Sequence, residues 1–264
     1  MNKRILGKLG GLSLLFCLAV FDPHSSFAKG PGPATANQLF YQGNSAYKEG
    51  KYDTAIDCYE KVVSLGLESG NLYYNLGNSY FKKGESGRAV LSYEKALLLI
   101  PNDSDLKSNH EYLLSTLNLG RQSFGNGLER LANRLFEDTT VNFLTILLSV
   151  IYLIAVLTLI SHLFFVGEKR GLKILFLALI ALFVLSAVSL GSKITYLNKG
   201  AIVISKKADV KFEPTEGATT FFELTEGNKV EVLEQAENWC KIKRPDGKIG
   251  WIDKGELGLI LDLN

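Results

Sequence analysis

Histidine, cysteine and carboxylate side chains build most metal, nucleophilic and acid–base centres, and this chain spaces them too widely for one. Beyond residue 28 only two histidines remain, His110 and His162, and they fall in segments of different character. They cannot complete a metal cluster with each other. Glu94, Glu111 and Glu129 are scattered through polar, helix-like sequence and read as parts of solvated faces. No glycine-rich phosphate loop, nucleophile elbow or HExxH helix occurs. Cys58 and Cys240 lie in different segments, which favours two structural thiols over a disulfide. These residue types point away from an enzyme, and neither a cofactor nor a metal is expected.

The 264 residues suffice for two modest domains plus membrane segments, and a net charge of +2 gives no field that would draw nucleic acid. The first segment, 1–28, has the pattern of an export signal. Lys3, Arg4 and Lys8 precede a short apolar stretch, Gly11 to Phe21, and Ser26-Phe27-Ala28 places small residues before a cut. A retained signal anchor is the alternative. Cys17 lacks the context of a lipidation site.

An internal repeat dominates the next part. Gly43-Asn44-Ser45-Ala46-Tyr47-Lys48-Glu49-Gly50 aligns with Gly77-Asn78-Ser79-Tyr80-Phe81-Lys82-Lys83-Gly84 at an offset of 34 residues. The same offset relates Leu39 to Tyr73, Ala55 to Ala89 and Tyr59 to Tyr93. Glycine inside a helix costs ~1 kcal/mol relative to alanine, so Gly43 and Gly77 predict a neighbouring helix in close approach. Ala55 and Ala89 are small for the same reason, whereas Tyr59 and Tyr93 fill the space between helices. A further helix near Asp105 to Leu119, with Leu106, Leu113, Leu114 and Leu117 on one side, is placed to cap the array. Residues 36–119 thus form five helices around a shallow groove.

Leu39, Gly43, Gly50, Tyr52, Ala55 and Tyr59, then Tyr73, Leu76, Gly77, Tyr80, Gly84, Ala89, Tyr93, Ala96 and Pro101, resemble two tetratricopeptide repeats. The resemblance implies a peptide-binding groove lined by the first helix of each repeat. Its positions here are Asn37, Phe40, Asn44, Tyr47 and Lys48, then Asn71, Tyr74, Asn78, Phe81 and Lys82. Asparagine bonds the backbone of an extended peptide, and the aromatics offer apolar area. The alternative makes those aromatics inter-helix core. Some clamp-type repeats carry lysine where Phe40 and Tyr74 stand, so capture of a terminal carboxylate is not implied.

Thr139 to Gly167 gives 29 residues without a formal charge, and Ile174 to Ser192 gives another 19. Each approaches or exceeds the ~20 residues that cross hydrocarbon, which predicts transmembrane helices over 141–166 and 174–192. His162 lies near the end of the first span, where an interfacial role is expected over proton transfer. The link 167–173 is short and carries Lys169, Arg170 and Lys173, so it is expected to face the cytoplasm. Both flanking domains then lie outside. Ahead of the first span, Leu128, Leu131, Ala132, Leu135 and Phe136 recur at helical spacing opposite Glu129, Arg130 and Arg134, predicting a juxtamembrane amphipathic helix over 126–137.

From 199 to 262 the period changes to two. Val230 and Val232 alternate with Lys229 and Glu231, Cys240 and Ile242 with Lys241 and Lys243, and Arg244 to Lys248 forms a turn. Five strands in a small barrel are expected. Leu224 to Val232, Asn238-Trp239, Asp246-Gly247 and Gly250-Trp251-Ile252 resemble a bacterial SH3 domain, with Ala208 to Lys211 as its first strand. That resemblance makes Phe222, Trp239 and Trp251 candidates for a peptide- or wall-binding face, and core or rim packing of the tryptophans is the alternative.

The chain therefore reads as multidomain: all-α tetratricopeptide repeats, two transmembrane helices, then an all-β SH3-like barrel. This order resembles the BatE-type membrane proteins of bacterial aerotolerance operons. The leading reading is a non-catalytic scaffold in the cytoplasmic (inner) membrane with both terminal domains periplasmic, and the resemblance implies an envelope complex linked to oxygen or envelope-stress tolerance. It implies protein partners of the von Willebrand A type and a MoxR-type ATPase. Two alternatives stand beside it: a peptidoglycan-binding module acting through the barrel, and a regulatory subunit whose spans contact a membrane enzyme.

Overall fold

A computed structural model describes residues 33–120, 126–136, 138–164 and 170–261. The expected export signal, residues 1–28, lies outside the described residues, as do Glu137, residues 165–169 at the start of the inter-span link and the His162 side chain.

Five helices form the repeat array: α1 (Pro33–Lys48), α2 (Tyr52–Ser64), α3 (Gly70–Lys83), α4 (Ser86–Leu99) and α5 (Ser104–Thr116). The 34-residue period has a direct geometric cause. A Cβ built on Gly43 would sit 2.5 Å from the ring of Tyr59, and one on Gly77 would sit 2.6 Å from Tyr93. The first helix of each repeat rests on the flat of the tyrosine presented by the second. Ala55, Ala89, Tyr59 and Tyr93 are buried in the resulting core. The first helices stop in register as well. Gly50 N–H donates to Tyr47 O at 3.0 Å and Lys51 N–H to Ala46 O at 2.9 Å; 34 residues later Gly84 N–H donates to Phe81 O at 3.0 Å and Glu85 N–H to Tyr80 O at 2.9 Å.

The short α6 (Gly127–Leu135) follows, and then α7 (Val141–Phe164) and α8 (Arg170–Lys199). Both long helices are long and apolar enough to cross a membrane. They pack on each other, and the end of α8 returns beside the start of α7, where Lys193 Nζ bonds the carbonyl of Thr139. The 30 residues of α8 give a helix of about 45 Å at ~1.5 Å per residue, well beyond the ~30 Å of a hydrocarbon core. Its last turns lead into a strand without an intervening loop.

Seven antiparallel strands, not five, follow in the order β3-β2-β6-β5-β4-β1-β7. They are β1 (Gly200–Val203), β2 (Lys207–Lys211), β3 (Thr220–Thr225), β4 (Lys229–Ala236), β5 (Trp239–Lys243), β6 (Ile249–Asp253) and β7 (Leu257–Leu259). Ala208 to Lys211 is therefore the second strand. The first is β1, which pairs with both β4 and β7. All four residues of β1 are buried. Ala201 and Val203 join the core of the β domain, whereas Ile202 points the other way into the core of the repeats. Period two places successive side chains on opposite faces, so a strand between two cores reads as a continuous apolar run.

Gly77→Ala tests the packing that sets the period. Alanine gains up to ~1 kcal/mol of helix propensity, but its Cβ collides with the Tyr93 ring, and overpacking costs ~1–3 kcal/mol. Thermal unfolding followed by circular dichroism should show a lower midpoint; a raised midpoint would contradict the close-approach role.

Candidate functional site

The groove residues are fixed by an amide ladder that repeats with the sequence. Tyr59 OH donates to Asn44 Oδ1 at 2.7 Å, and Asn75 Nδ2 donates to the same oxygen at 3.0 Å. One period later Tyr93 OH donates to Asn78 Oδ1 at 2.7 Å, joined by Asn109 Nδ2 at 3.2 Å. Asn109 Nδ2 also reaches Tyr74 OH at 2.8 Å. Burial pushes the Tyr59 phenol up to about 12, which keeps it a donor. Asn44 and Asn78 thus spend their oxygens on the fold. Their orientation is fixed, and Asn78 also hydrogen-bonds the Tyr74 phenol. Asn109 stands one period after Asn75, so α5 continues the first-helix pattern as the opening of a third repeat as well as closing the array.

The aromatic candidates are half-buried, each leaning on another ring. Phe40 packs on Tyr59 at 5.9 Å between centroids, Tyr47 on Tyr52 at 5.5 Å, Tyr74 on Tyr93 at 6.1 Å and Phe81 on Tyr112 at 6.0 Å. Burial, followed by neighbouring Tyr52 and Tyr74, raises the Tyr47 phenol. Each ring is thus packed against the inter-helix core while keeping part of its surface exposed. Lys48 and Lys82 are exposed.

The three residues expected to share a face of the β domain do not. Along β5, Cys240 and Ile242 are buried and Trp239, Lys241 and Lys243 alternate with them. Trp251 lies opposite Lys241 and Lys211. Lys211 Nζ sits 5.1 Å from the Trp239 ring centroid and Lys241 Nζ 5.6 Å from that of Trp251, so both tryptophans belong to one aromatic outer face of mixed charge, on which Asp253 stands opposite Trp239. Phe222 faces the other way. Strand pairing sets it opposite buried Val210, and it packs on the core with the Arg244 guanidinium 5.2 Å from its ring centroid. The aromatics exposed beside it are Phe212 and Phe221, with ring centroids 4.4 Å apart. Strand alternation puts one ring of the Phe221-Phe222 pair outside, a signal the sequence analysis passed over.

Glu94 departs most from expectation. It is buried, with 5% of its surface exposed, instead of lying on a solvated face. Lys229 Nζ of β4 lies 2.7 Å from its Oε1, His110 Nε2 of α5 lies 3.1 Å from the same atom, and Tyr196 OH of α8 donates to Oε2 at 3.0 Å. The Lys229 ammonium also lies 5.0 Å from the Tyr196 ring centroid. Burial pushes the Glu94 carboxyl up, but Lys229 and His110 outweigh it and hold the group well below the usual carboxylate range. Around this node the repeats and the β domain are in close contact. Gly87 N–H donates to Glu226 Oε2 at 3.0 Å, and a Cβ on Gly87 would sit 2.7 Å from the backbone of Ile204. A cleft of about 1130 Å³ opens beside the node between α5, α6, α8 and β4. Among its wall residues Lys107 pairs with Asp138, Lys229 with Glu94, and Lys243 with Glu231 at 3.9 Å. Among the described residues no group of three or more His, Cys, Asp or Glu side chains converges to hold a metal. Cys58 and Cys240 are separate, buried thiols, and burial raises that of Cys240.

Comparison with known proteins agrees with this architecture. A TPR repeat family matches residues 43–84, the tetratricopeptide repeat family matches 70–103, and the bacterial SH3 domain family matches 206–258. No curated protein matches the chain. Among solved structures, it is similar to the NMR structure of the first TPR domain of the human RPAP3 protein. That likeness has 25% identity and a TM-score of 0.24, covering 33% of this chain and 95% of that one. The chain thus joins a tetratricopeptide array, whose class mediates protein–protein contact, to a bacterial SH3 domain.

Breaking the node has a predictable cost. Glu94→Gln removes the carboxylate that the Lys229 ammonium meets at 2.7 Å, and removing one partner of a buried pair costs ~3–5 kcal/mol. The lower end applies because the Lys229 side chain keeps 21% of its surface exposed. The depressed carboxyl stabilises the fold above its ordinary value of 4.5, and that contribution is lost as pH falls below it through the folded value. Denaturant unfolding should show this acid-dependent loss in the native chain and a flatter acid response in Glu94→Gln.

Proposed function

We propose that the chain is a non-catalytic, membrane-anchored scaffold that holds partner proteins on the extracytoplasmic side of the bacterial cytoplasmic membrane. The observation that carries this reading is the fusion of two interaction modules into one body beside two helices able to cross a bilayer. Apolar side chains cover the free surface of those helices, with Ile146 and Leu177 each 64% exposed. Such a surface is unfavourable in water, and acyl chains remove the cost. The adjoining ends of α7 and α8 keep the repeats and the β domain on one side. The basic link around Arg170 and Lys173 and the signal-like residues 1–28 favour the outside for that platform.

A partner segment lies across α1, α3 and α5. Asn44 offers an amide donor to its backbone, Asn78 shares its amide with Tyr74 beside the same path, and Phe40, Tyr47, Tyr74 and Phe81 receive its apolar side chains. Lys48 and Lys82 favour an acidic flank. The order of modules supports the resemblance to BatE-type proteins. It gives the scaffold a place in an aerotolerance or envelope-stress complex with von Willebrand A-type membrane proteins and a MoxR-type ATPase.

Asn78→Ala is a poor probe of this groove, because it strips the acceptor from buried Tyr93 and costs ~1–3 kcal/mol for the orphaned donor. Lys48→Glu combined with Lys82→Glu is better, since exposed substitutions stay within about ±0.5 kcal/mol. Crosslinking mass spectrometry in native membranes should show partners of the native chain lost from this variant. An unchanged partner set would sink the groove reading.

The outer face of the β domain favours a second reading, contact with the cell wall. Trp239 and Trp251 stand there beside Lys211 and Lys241, offering aromatic surface with polar neighbours of both signs to a glycan. Full-length Trp239→Ala with Trp251→Ala should lose sedimentation with purified peptidoglycan; retention equal to the native chain would remove this reading.

A further inference from the structure

Helix α6 presents two unlike faces. Ala132 is fully buried and Asn133 half-buried where α6 packs on α8. Leu128, Leu131 and Leu135 recur at three- and four-residue spacing and are 47%, 50% and 58% exposed. On a helix that spacing makes one stripe. Arg130 and Arg134, both exposed, border it on the side away from Ala132.

The helix is held at a fixed height. Its start is closed by a reciprocal cap, in which Glu129 N–H donates to Asn126 Oδ1 at 3.0 Å and Asn126 N–H donates to Glu129 Oε2 at 2.7 Å. Beyond its end, Lys193 Nζ donates to Phe136 O at 2.9 Å and to Thr139 O. Lys193 belongs to α8, and Thr139 is two residues ahead of α7. The end of α6 is therefore fastened at the level where the apolar run of α8 stops and α7 begins.

We infer that α6 lies in the headgroup region of an anionic phospholipid leaflet, with Leu128, Leu131 and Leu135 among the acyl chains and Arg130 and Arg134 at the phosphates. A helix with an apolar stripe and bordering arginines binds this boundary by burying the one and pairing the other. Glu129, the one acidic side chain of the helix, turns back into its own cap. The inference rests on the membrane reading proposed above, and it adds a third anchoring element that sets the height of the platform over the lipid.

The test uses the full-length chain, with Cys17, Cys58 and Cys240 replaced by alanine, in liposomes of phosphatidylcholine and phosphatidylglycerol. Single nitroxide labels are placed at Leu131→Cys, at Ile146→Cys in α7 and at Lys61→Cys on the repeats. Accessibility to oxygen against a water-soluble nickel chelate then reports lipid or water. The inference predicts that position 131 resembles 146, favouring oxygen, while 61 favours nickel. Nickel-accessible 131 beside oxygen-accessible 146 would overturn the inference and leave the membrane reading intact, whereas nickel access at 146 would overturn both. A label at 131 shielded from both reagents would mean that protein covers the stripe, which also overturns it. Omitting phosphatidylglycerol, or combining Arg130→Gln with Arg134→Gln, should move 131 towards water. A profile unchanged by both would overturn the anionic-lipid assignment.

Discussion

A carboxylate removed from water persists as a charge only where other groups replace the lost hydration, and Glu94 finds those groups on three separate parts of the chain. His110 comes from the repeats, Tyr196 from the last turns of α8 and Lys229 from the β domain. None of these side chains can move away singly without leaving the carboxylate short of a partner. The relative placement of repeats, long helix and β domain is thereby tied to one ionic contact. A buried pair of this kind contributes little net stability compared with a well-packed apolar replacement. Its consequence is geometric, because it rejects docking arrangements in which the charge is unmet. Around it, Ile202 and Ile260 of the β domain enter the core of the repeats and supply the apolar burial.

This arrangement changes what the two interaction modules can do. Modules on flexible tethers would sample many separations, and a second partner would be recruited at an effective concentration set by the tether. Here α8 runs from its apolar stretch into β1 with no loop, and β1 is buried between two cores. The repeat groove and the tryptophan face of the β domain therefore keep a constant relation to each other and to the apolar helices. Partners gripped at both would be held in a defined geometry, as a scaffold requires.

The sequence made some of this legible and hid the rest for identifiable reasons. Gly43 and Gly77 pay a helical cost that only close approach explains, and the tyrosines they approach recur at the same offset, so the repeat declared itself. The two long apolar runs were equally plain. Glu94 was not, because a carboxylate in an otherwise polar helix looks solvated until residues far away in sequence are brought to it. Strand β1 was missed because Ala201-Ile202-Val203-Ile204 lacks the alternation of a half-buried strand; it is covered on both sides. Asn44 and Asn78 were read as ligand contacts from their position. Tyr59 and Tyr93 show that half of each amide already belongs to the fold. The resemblance to a bacterial SH3 domain groups Phe222 with the tryptophans, and the register against Val210 turns it inward.

The central claim is that repeats and β domain form one body, and an electron–electron distance measurement tests it most directly. Nitroxides at Lys61→Cys on α2 and Lys248→Cys in the β5–β6 turn occupy exposed positions on the two modules of the full-length chain in lipid. A single narrow distance distribution, broadened by Glu94→Gln, is what the account predicts. A broad distribution in the native chain, unchanged by Glu94→Gln, would mean independently tethered modules and would contradict it.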